Sequence, residues 1–133
     1  MSINPHLGQP VCDVCGGEPA GDATFRSVLS LLIAWQVSTR MGNFCRDCGV
    51  AVHREMTKFT MVAGWWGFAV LGALVVILMN ASAAARLERM PSPTERPGRP
   101  LVPGPPISRS PALIVPLLFL TLILVFCCGI PDF

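Results

Sequence analysis

Charged residues are scarce in this chain, and they are unevenly distributed. Asp, Glu, Lys and Arg make up 14% of the 133 residues, whereas about a quarter is usual in soluble domains. None occurs in residues 59–85 or in residues 110–131, two runs of 27 and 22 residues. Because a membrane-spanning helix needs about 20 predominantly apolar residues, the sequence predicts an integral membrane protein with two spans.

Further absences exclude several classes of function. The sequence shows no grouping of serine, histidine and carboxylate and no glycine-rich phosphate-binding loop, so we expect that it is not an enzyme. Residues 1–58 carry five basic and five acidic side chains, which is not the basic excess of a nucleic-acid-binding domain. Residues 1–10 have no basic segment followed by an apolar core, so no secretory leader is predicted.

The most informative feature present is a repeated Cys-x-x-Cys-Gly pentapeptide. Cys12 and Cys15 form one pair, Cys45 and Cys48 form the other, and 29 residues separate them. Four thiolates at this spacing can close a tetrahedral site, with zinc as the usual ion. Iron accepts the same geometry, although Arg46 stands where a rubredoxin knuckle has proline. The glycine after each pair permits a left-handed backbone around the thiolates.

Residues 12–49 are therefore predicted to form a zinc-ribbon-like metal-binding head. Apolar and polar residues alternate over residues 29–37, which indicates a strand, with residues 23–25 as its partner and a turn at residues 41–43. A buried helix over residues 27–35 is the alternative. About 40 residues bury too little surface to fold alone, so a structural metal would stabilise the head.

The rest of the chain divides by composition. We expect a flexible N-terminus (1–11), a connecting helix (50–59), transmembrane helix 1 (60–85), a Pro/Arg-rich linker (86–110) and transmembrane helix 2 (111–130). The linker contains seven prolines and is predicted to be extended, either along lipid headgroups or as a solvated connector. The predicted fold is a small zinc ribbon, a β-hairpin with two knuckles, plus two transmembrane helices forming a helical hairpin.

The remaining metal-binding side chains are predicted to play no part in the site. His6 and His53 are expected on the solvent side, and Cys127 and Cys128 as small packing residues at the end of the second span. Thiolate sites persist best in a reducing compartment. We therefore expect a multi-pass protein of the cell membrane with its head in the cytosol. The positive-inside rule barely distinguishes the two orientations, because the numbers of basic residues on the two sides of the first span are nearly equal.

Several segments resemble a group of uncharacterised membrane proteins common in actinobacteria. The resemblance lies in residues 44–49 (Phe-Cys-Arg-Asp-Cys-Gly), 54–57 and 64–67 (Gly-Trp-Trp-Gly), followed by Pro-Gly-Pro-Pro at 103–106. It implies paired cysteines and two spans, and it implies no activity.

The predicted function is a membrane-tethered protein-interaction or adaptor module with a structural zinc ribbon. One alternative is a rubredoxin-like iron–tetrathiolate electron-transfer protein, and another is an accessory subunit of a larger membrane complex. The expected partners are the lipid bilayer and a protein. Ala69 and Ala73 lie four residues apart, and such small residues let a second helix approach, either the chain's own second span or that of an oligomer.

Overall fold

The computed structural model describes residues 10–67 and 69–129 of the chain. These residues form β1 (Gly21–Leu31), β2 (Ala34–Phe44), α1 (Arg46–Ala63), α2 (Val70–Glu88) and α3 (Ile114–Cys128), with short 3-10 turns at Ile107–Arg109 and Pro111–Leu113. Most of the N-terminus that was expected to be flexible, including His6, lies outside the described residues.

β1 and β2 form an antiparallel hairpin, as expected, but the single strand predicted over residues 29–37 is divided between them by the turn. The register pairs Gly21 with Phe44 and Leu31 with Ala34, so the chain reverses at residues 32 and 33. The turn predicted at residues 41–43 is part of β2, and the alternative helix over residues 27–35 is wrong. The turn has no glycine or proline to mark it. Leu32 adopts a positive φ of 39°, and its N–H donates to the Trp66 carbonyl at 2.8 Å.

The predicted helix over residues 60–85 is broken into two helices. α1 ends at Ala63 and α2 begins at Val70, and the two run antiparallel, with Gly49 beside Leu87 at one end and Gly64 beside Ala73 at the other. The predicted connecting helix (50–59) is the middle of α1. A Cβ on Gly64 would lie 2.8 Å from the Ala73 Cβ. The Gly-Trp-Trp-Gly segment is therefore a reversal between packed helices.

The helical hairpin covers the free edge of β1 with polar side chains. Asn80, which is fully buried, accepts from the Arg26 N–H at 2.8 Å and donates to the Arg26 carbonyl at 2.6 Å. Thr60 Oγ1 accepts from the Val28 N–H at 3.1 Å. These contacts satisfy backbone groups that would otherwise be buried without partners, and they explain polar residues within the apolar run.

The core lies between β1, α1 and α2, close to the cysteines. Phe25 and Phe44 pack edge to face with ring centroids 5.8 Å apart. The other large members of this core are Val52, Met56 and Leu87. The cysteine end of the fold is thus continuous with its apolar core.

The chain after α2 crosses the cysteine end and returns along α1. Arg54 and Lys58 donate to the carbonyls of Gly104 and Pro105 at 2.5 and 2.8 Å. α3 follows, and its principal helix contact is with α1. The antiparallel helical hairpin was predicted between the two apolar runs; the structure instead forms it from α1 and α2.

Two helical segments, Val70–Glu88 and Pro111–Cys128, are long and apolar enough to cross a membrane by length and composition. They differ in burial. α2 buries six residues, among them Val76 and Leu87, whereas α3 buries only Pro116.

Candidate metal centre

The four cysteines singled out by the sequence meet in one buried cluster. Their Sγ atoms all lie within 4.8 Å of one another, and each residue is at most 2% exposed. The Sγ atoms of Cys15 and Cys45 are 3.6 Å apart, and all four thiols are free. A tetrahedral zinc ion with bonds of about 2.3 Å separates its sulfurs by about 3.8 Å. The cluster therefore has the donors and spacing of a tetrathiolate site.

The first knuckle is a tight turn closed by its own backbone. The Gly16 N–H donates to the Cys12 carbonyl at 2.8 Å, and the Cys12 N–H donates to the Gly17 carbonyl at 3.0 Å. Gly16 has a φ of +68°, a conformation that glycine adopts at little cost. The left-handed backbone expected after the first cysteine pair is confirmed.

The second knuckle is the start of a helix. Cys45 is the N-cap residue of α1, and Cys48 lies in the first turn. The unpaired N–H groups and the dipole of a helix N-terminus favour negative charge there, and thiolates bound to a metal ion would supply it. Gly49 is helical, so the left-handed backbone expected there is wrong. Position 49 nevertheless favours glycine, because a Cβ there would collide with the Leu87 side chain.

Asp13 joins the two knuckles. Its Oδ2 accepts from the Asn43 N–H at 2.7 Å, and its own N–H donates to the Asn43 carbonyl at 2.8 Å. Asn43 lies two residues before Cys45, at the end of β2. The pair therefore fixes the distance between the two halves of the site.

The proline-rich segment (89–106), here called the strap, contacts both knuckles. The Gly98 N–H donates to the Cys15 carbonyl at 2.9 Å, and the Thr94 N–H donates to the Glu18 carbonyl at 3.1 Å. Arg96 forms an ion pair with Asp47 in the first turn of α1. Over these residues the strap is docked on the head, with most of its side chains exposed. Proline content indicated its extended form but not its docking site.

The thiols differ in acidity because burial and hydrogen bonding compete. Burial would raise the pKa of Cys12, but backbone hydrogen bonds from Cys15, Cys45 and Val14 lower it overall. Burial raises the pKa of Cys45 to about 11 and raises that of Cys48 further. A cation entering the cluster must displace the protons of these thiols. The donor set fits a metal ion that binds thiolates.

The other candidate ligands lie outside the cluster. His53 is half-buried, with its Nδ1 3.3 Å from Thr57 Oγ1 and its ring 6.2 Å from the Phe25 ring centroid; the solvent-side position expected for it is only partly correct. Cys127 and Cys128 are exposed on α3 and do not serve as packing residues within the described part of the chain.

Comparison with known proteins leaves the functional argument to this geometry. No protein-family model, no curated protein and no solved structure matches the chain.

Proposed function

We propose that this protein is a membrane-anchored zinc module whose head holds a protein partner at the membrane surface. The observation that carries the proposal is the buried quartet of Sγ atoms within 4.8 Å. The first knuckle, β2, α1 and the strap all converge on this quartet. A metal ion there would tie the first knuckle to the junction of β2 and α1, although 29 residues separate the two cysteine pairs in the sequence.

Zinc is the ion we assign to the site. All four donors are cysteine sulfurs, and each of these residues is buried, as in structural zinc sites. The same quartet would hold iron in a similar geometry, which is the electron-transfer alternative. In either case the metal is structural for the head, and only iron adds redox chemistry.

The outer edge of β2 supports the assignment of a protein partner. Asn80 and Thr60 contact the even-numbered residues of β1, so the odd-numbered residues of β1 face β2. The paired register then directs the backbone groups of Trp35, Val37 and Thr39 away from the sheet. β2 is exposed from Ala34 to Met41. An extended segment of a partner can add as a third strand to the part of this edge around Thr39.

The anchor and the orientation complete the proposal. α3 is a continuous apolar helix with nearly all of its side chains exposed, and lipid is the natural environment for such a surface. We place the head in the cytosol, where thiolate sites persist. The resemblance to actinobacterial membrane proteins agrees with a membrane location.

Metal analysis of protein purified in mild detergent tests the metal assignment. We expect about one zinc per chain, no visible colour, and loss of zinc in Cys48→Ser. The matched control is Cys128→Ser, which changes an exposed cysteine outside the cluster and should keep the metal. A red protein containing iron would contradict the zinc assignment and support electron transfer.

Affinity purification tests the partner assignment. Thr39→Pro removes an outward N–H from the edge, whereas Thr39→Ala removes only the side chain. We expect the first to lose partners and the second to keep them. Replacing residues 111–130 by an unrelated apolar helix distinguishes the accessory-subunit alternative, because an adaptor would retain its partners and an accessory subunit would lose them.

A further inference from the structure

Four charged side chains of β1, β2 and α1 lie at the middle of the fold, and we call them the collar: Arg26, Arg40, Glu55 and Lys58. Arg40 and Glu55 approach to 3.9 Å, which aligns β2 with the middle of α1. Arg26 donates to Met79 Sδ at 3.6 Å, and its backbone contacts Asn80. The collar therefore lies level with residues 79 and 80 of α2.

The collar limits how much of α2 can enter a membrane. Leu87 packs over Gly49 at the cysteine end, and Asn80 Nδ2 lies 3.4 Å from Thr57 Oγ1. The C-terminal half of α2 thus lies beside the charged half of α1. Only residues 70–78 extend past the collar, which is about 14 Å of helix. A hydrocarbon core of about 30 Å is twice that thickness, so α2 does not cross a bilayer while the head is folded.

The surface beyond the collar is apolar, and we call it the apolar pole. Its exposed side chains come from the hairpin turn, the start of β2, the α1–α2 reversal and the first half of α2: Leu31, Leu32, Ile33, Trp35, Val37, Trp66, Leu71, Leu74, Val75 and Leu78. All three tryptophans of the chain lie at this end. Tryptophan is enriched where membrane meets water.

The apolar pole is continuous with α3. The Trp65 and Phe119 rings lie 5.6 Å apart. Trp65 and Trp66 line a pocket of about 190 Å³ together with Leu118 and Leu122. The strap contacts Lys58 before α3 begins, and α3 then contacts Trp65, so α3 runs away from the cysteine end. From Leu120 to Gly129 each residue is exposed.

We propose that α3 makes the single membrane crossing and that the apolar pole rests in the leaflet that α3 enters. This inference rests on the membrane anchor of the proposed function and revises the two spans expected from the sequence. The occupant of the pole is the lipid of that leaflet, because the pole and α3 form one uncharged surface bounded by the collar. The head and the chain after α3 then lie on opposite sides of the membrane.

Two opposing costs set the depth of the pole. Deep immersion would strip water from the outward backbone groups of Trp35 and Val37, which hydrocarbon cannot satisfy. Shallow immersion would leave α3 too short for the bilayer. The head is therefore expected to lie with its apolar pole below the headgroups and its collar in water.

Topology mapping of the full chain tests the single crossing. Reporters are fused before Met1 and after Phe133, and membrane insertion is scored by resistance to alkaline carbonate extraction. Reporters on opposite sides of an inserted protein support the inference. Reporters on the same side overturn it while the membrane anchor of the proposed function stands. Release by carbonate overturns the membrane anchor itself.

Lipid crosslinking tests the apolar pole independently. A photo-reactive phenylalanine derivative replaces Leu32 or, as the control, Met41, which are 78% and 75% exposed on opposite sides of the collar. In liposomes of phosphatidylglycerol and phosphatidylethanolamine we expect at least about tenfold more lipid adduct from position 32. Equal yields from the two positions would overturn the contact.

Discussion

The two ends of the head differ in how completely the chain itself covers them. At the cysteine end, four thiols, an ion pair and the strap's backbone hydrogen bonds enclose the site. At the opposite end, a hydrogen bond from the Leu32 N–H to the Trp66 carbonyl joins the hairpin turn to the α1–α2 reversal, and large apolar side chains are exposed. The cysteine end is closed by polar contacts within the chain, whereas the opposite end exposes apolar side chains that need a covering from outside the chain.

This difference locates the sources of stability. The first knuckle, the β2–α1 junction and the strap meet at the cysteine end, and the apolar core alone is small for a unit of this size. We infer that a metal ion stabilises this end and that lipid covers the other. Each end can then be disturbed without disturbing the other.

Loss of one metal ligand should have the largest effect. Cys45→Ser removes a sulfur that is fully buried at the N-cap of α1. Structural zinc contributes about 10–16 kcal/mol in small zinc domains, so we expect the cysteine end to unfold at ambient temperature. Circular dichroism and metal content check this, with Cys127→Ser as the control. A folded, zinc-containing Cys45→Ser variant would contradict the account.

Loss of Asn80 should be the next largest effect. Asn80→Ala leaves the backbone N–H and carbonyl of Arg26 without their hydrogen-bond partners, and each buried unsatisfied group costs about 1–3 kcal/mol. We expect a destabilisation of about 2–5 kcal/mol in thermal unfolding.

Ser82→Ala is the matched control for Asn80, because Ser82 is an exposed polar residue on the same helix. It should change the free energy of unfolding by less than about 0.5 kcal/mol. If Asn80→Ala is equally mild, then α2 does not cover the β1 edge as described.

A pair of glycines sharpens the contrast between packed and open helix surfaces. Gly49→Ala would force the new methyl group against Leu87, whereas nothing lies within 4 Å of a Cβ on Gly72. We expect Gly49→Ala to destabilise by about 1–3 kcal/mol and Gly72→Ala to be neutral or stabilising by up to about 1 kcal/mol.

The double variant Gly49→Ala/Leu87→Ala checks the cause of that effect. Its destabilisation should be smaller than the sum for the two single variants, because the clash is removed. Strict additivity would place Leu87 away from Gly49.

Part of this structure could be predicted because it depends on local chemistry. The spacing of Cys12 and Cys15, repeated at Cys45 and Cys48, brings the two sulfurs of each pair together and indicates that the two pairs share one ion. Alternation, which is a local property of strands, indicated β structure between the knuckles, but it did not indicate the reversal at residues 32 and 33.

The remainder depends on contacts between distant residues. An uncharged run reads as one long helix, and only the packing of Gly64 against Ala73 shows that the chain must reverse. The partner of Asn80 is the backbone of Arg26, which no pattern within the run could indicate. The strap's proline content predicted its extended backbone, whereas its docking on Cys15 depends on hydrogen bonds formed across the fold.

The strap should give the smallest of the effects. Arg96 forms an ion pair with Asp47, and each side chain is 32% exposed. Ion pairs at the surface contribute about 0–1 kcal/mol to the free energy of unfolding. Arg96→Ala should therefore barely change stability but should speed zinc transfer to a chelator by a few-fold. Arg99→Ala is the matched control on the same exposed strap. Equal rates of zinc transfer in the two variants would show that the Arg96–Asp47 ion pair does not protect the metal site.

Hydrogen exchange with and without a zinc chelator tests the central claim most directly. On the intact protein in detergent, the account predicts that chelation removes protection from residues 12–17 and from the first two turns of α1, while α3 keeps its protection. Unchanged protection around Cys12 and Cys45 after complete removal of the metal would contradict it.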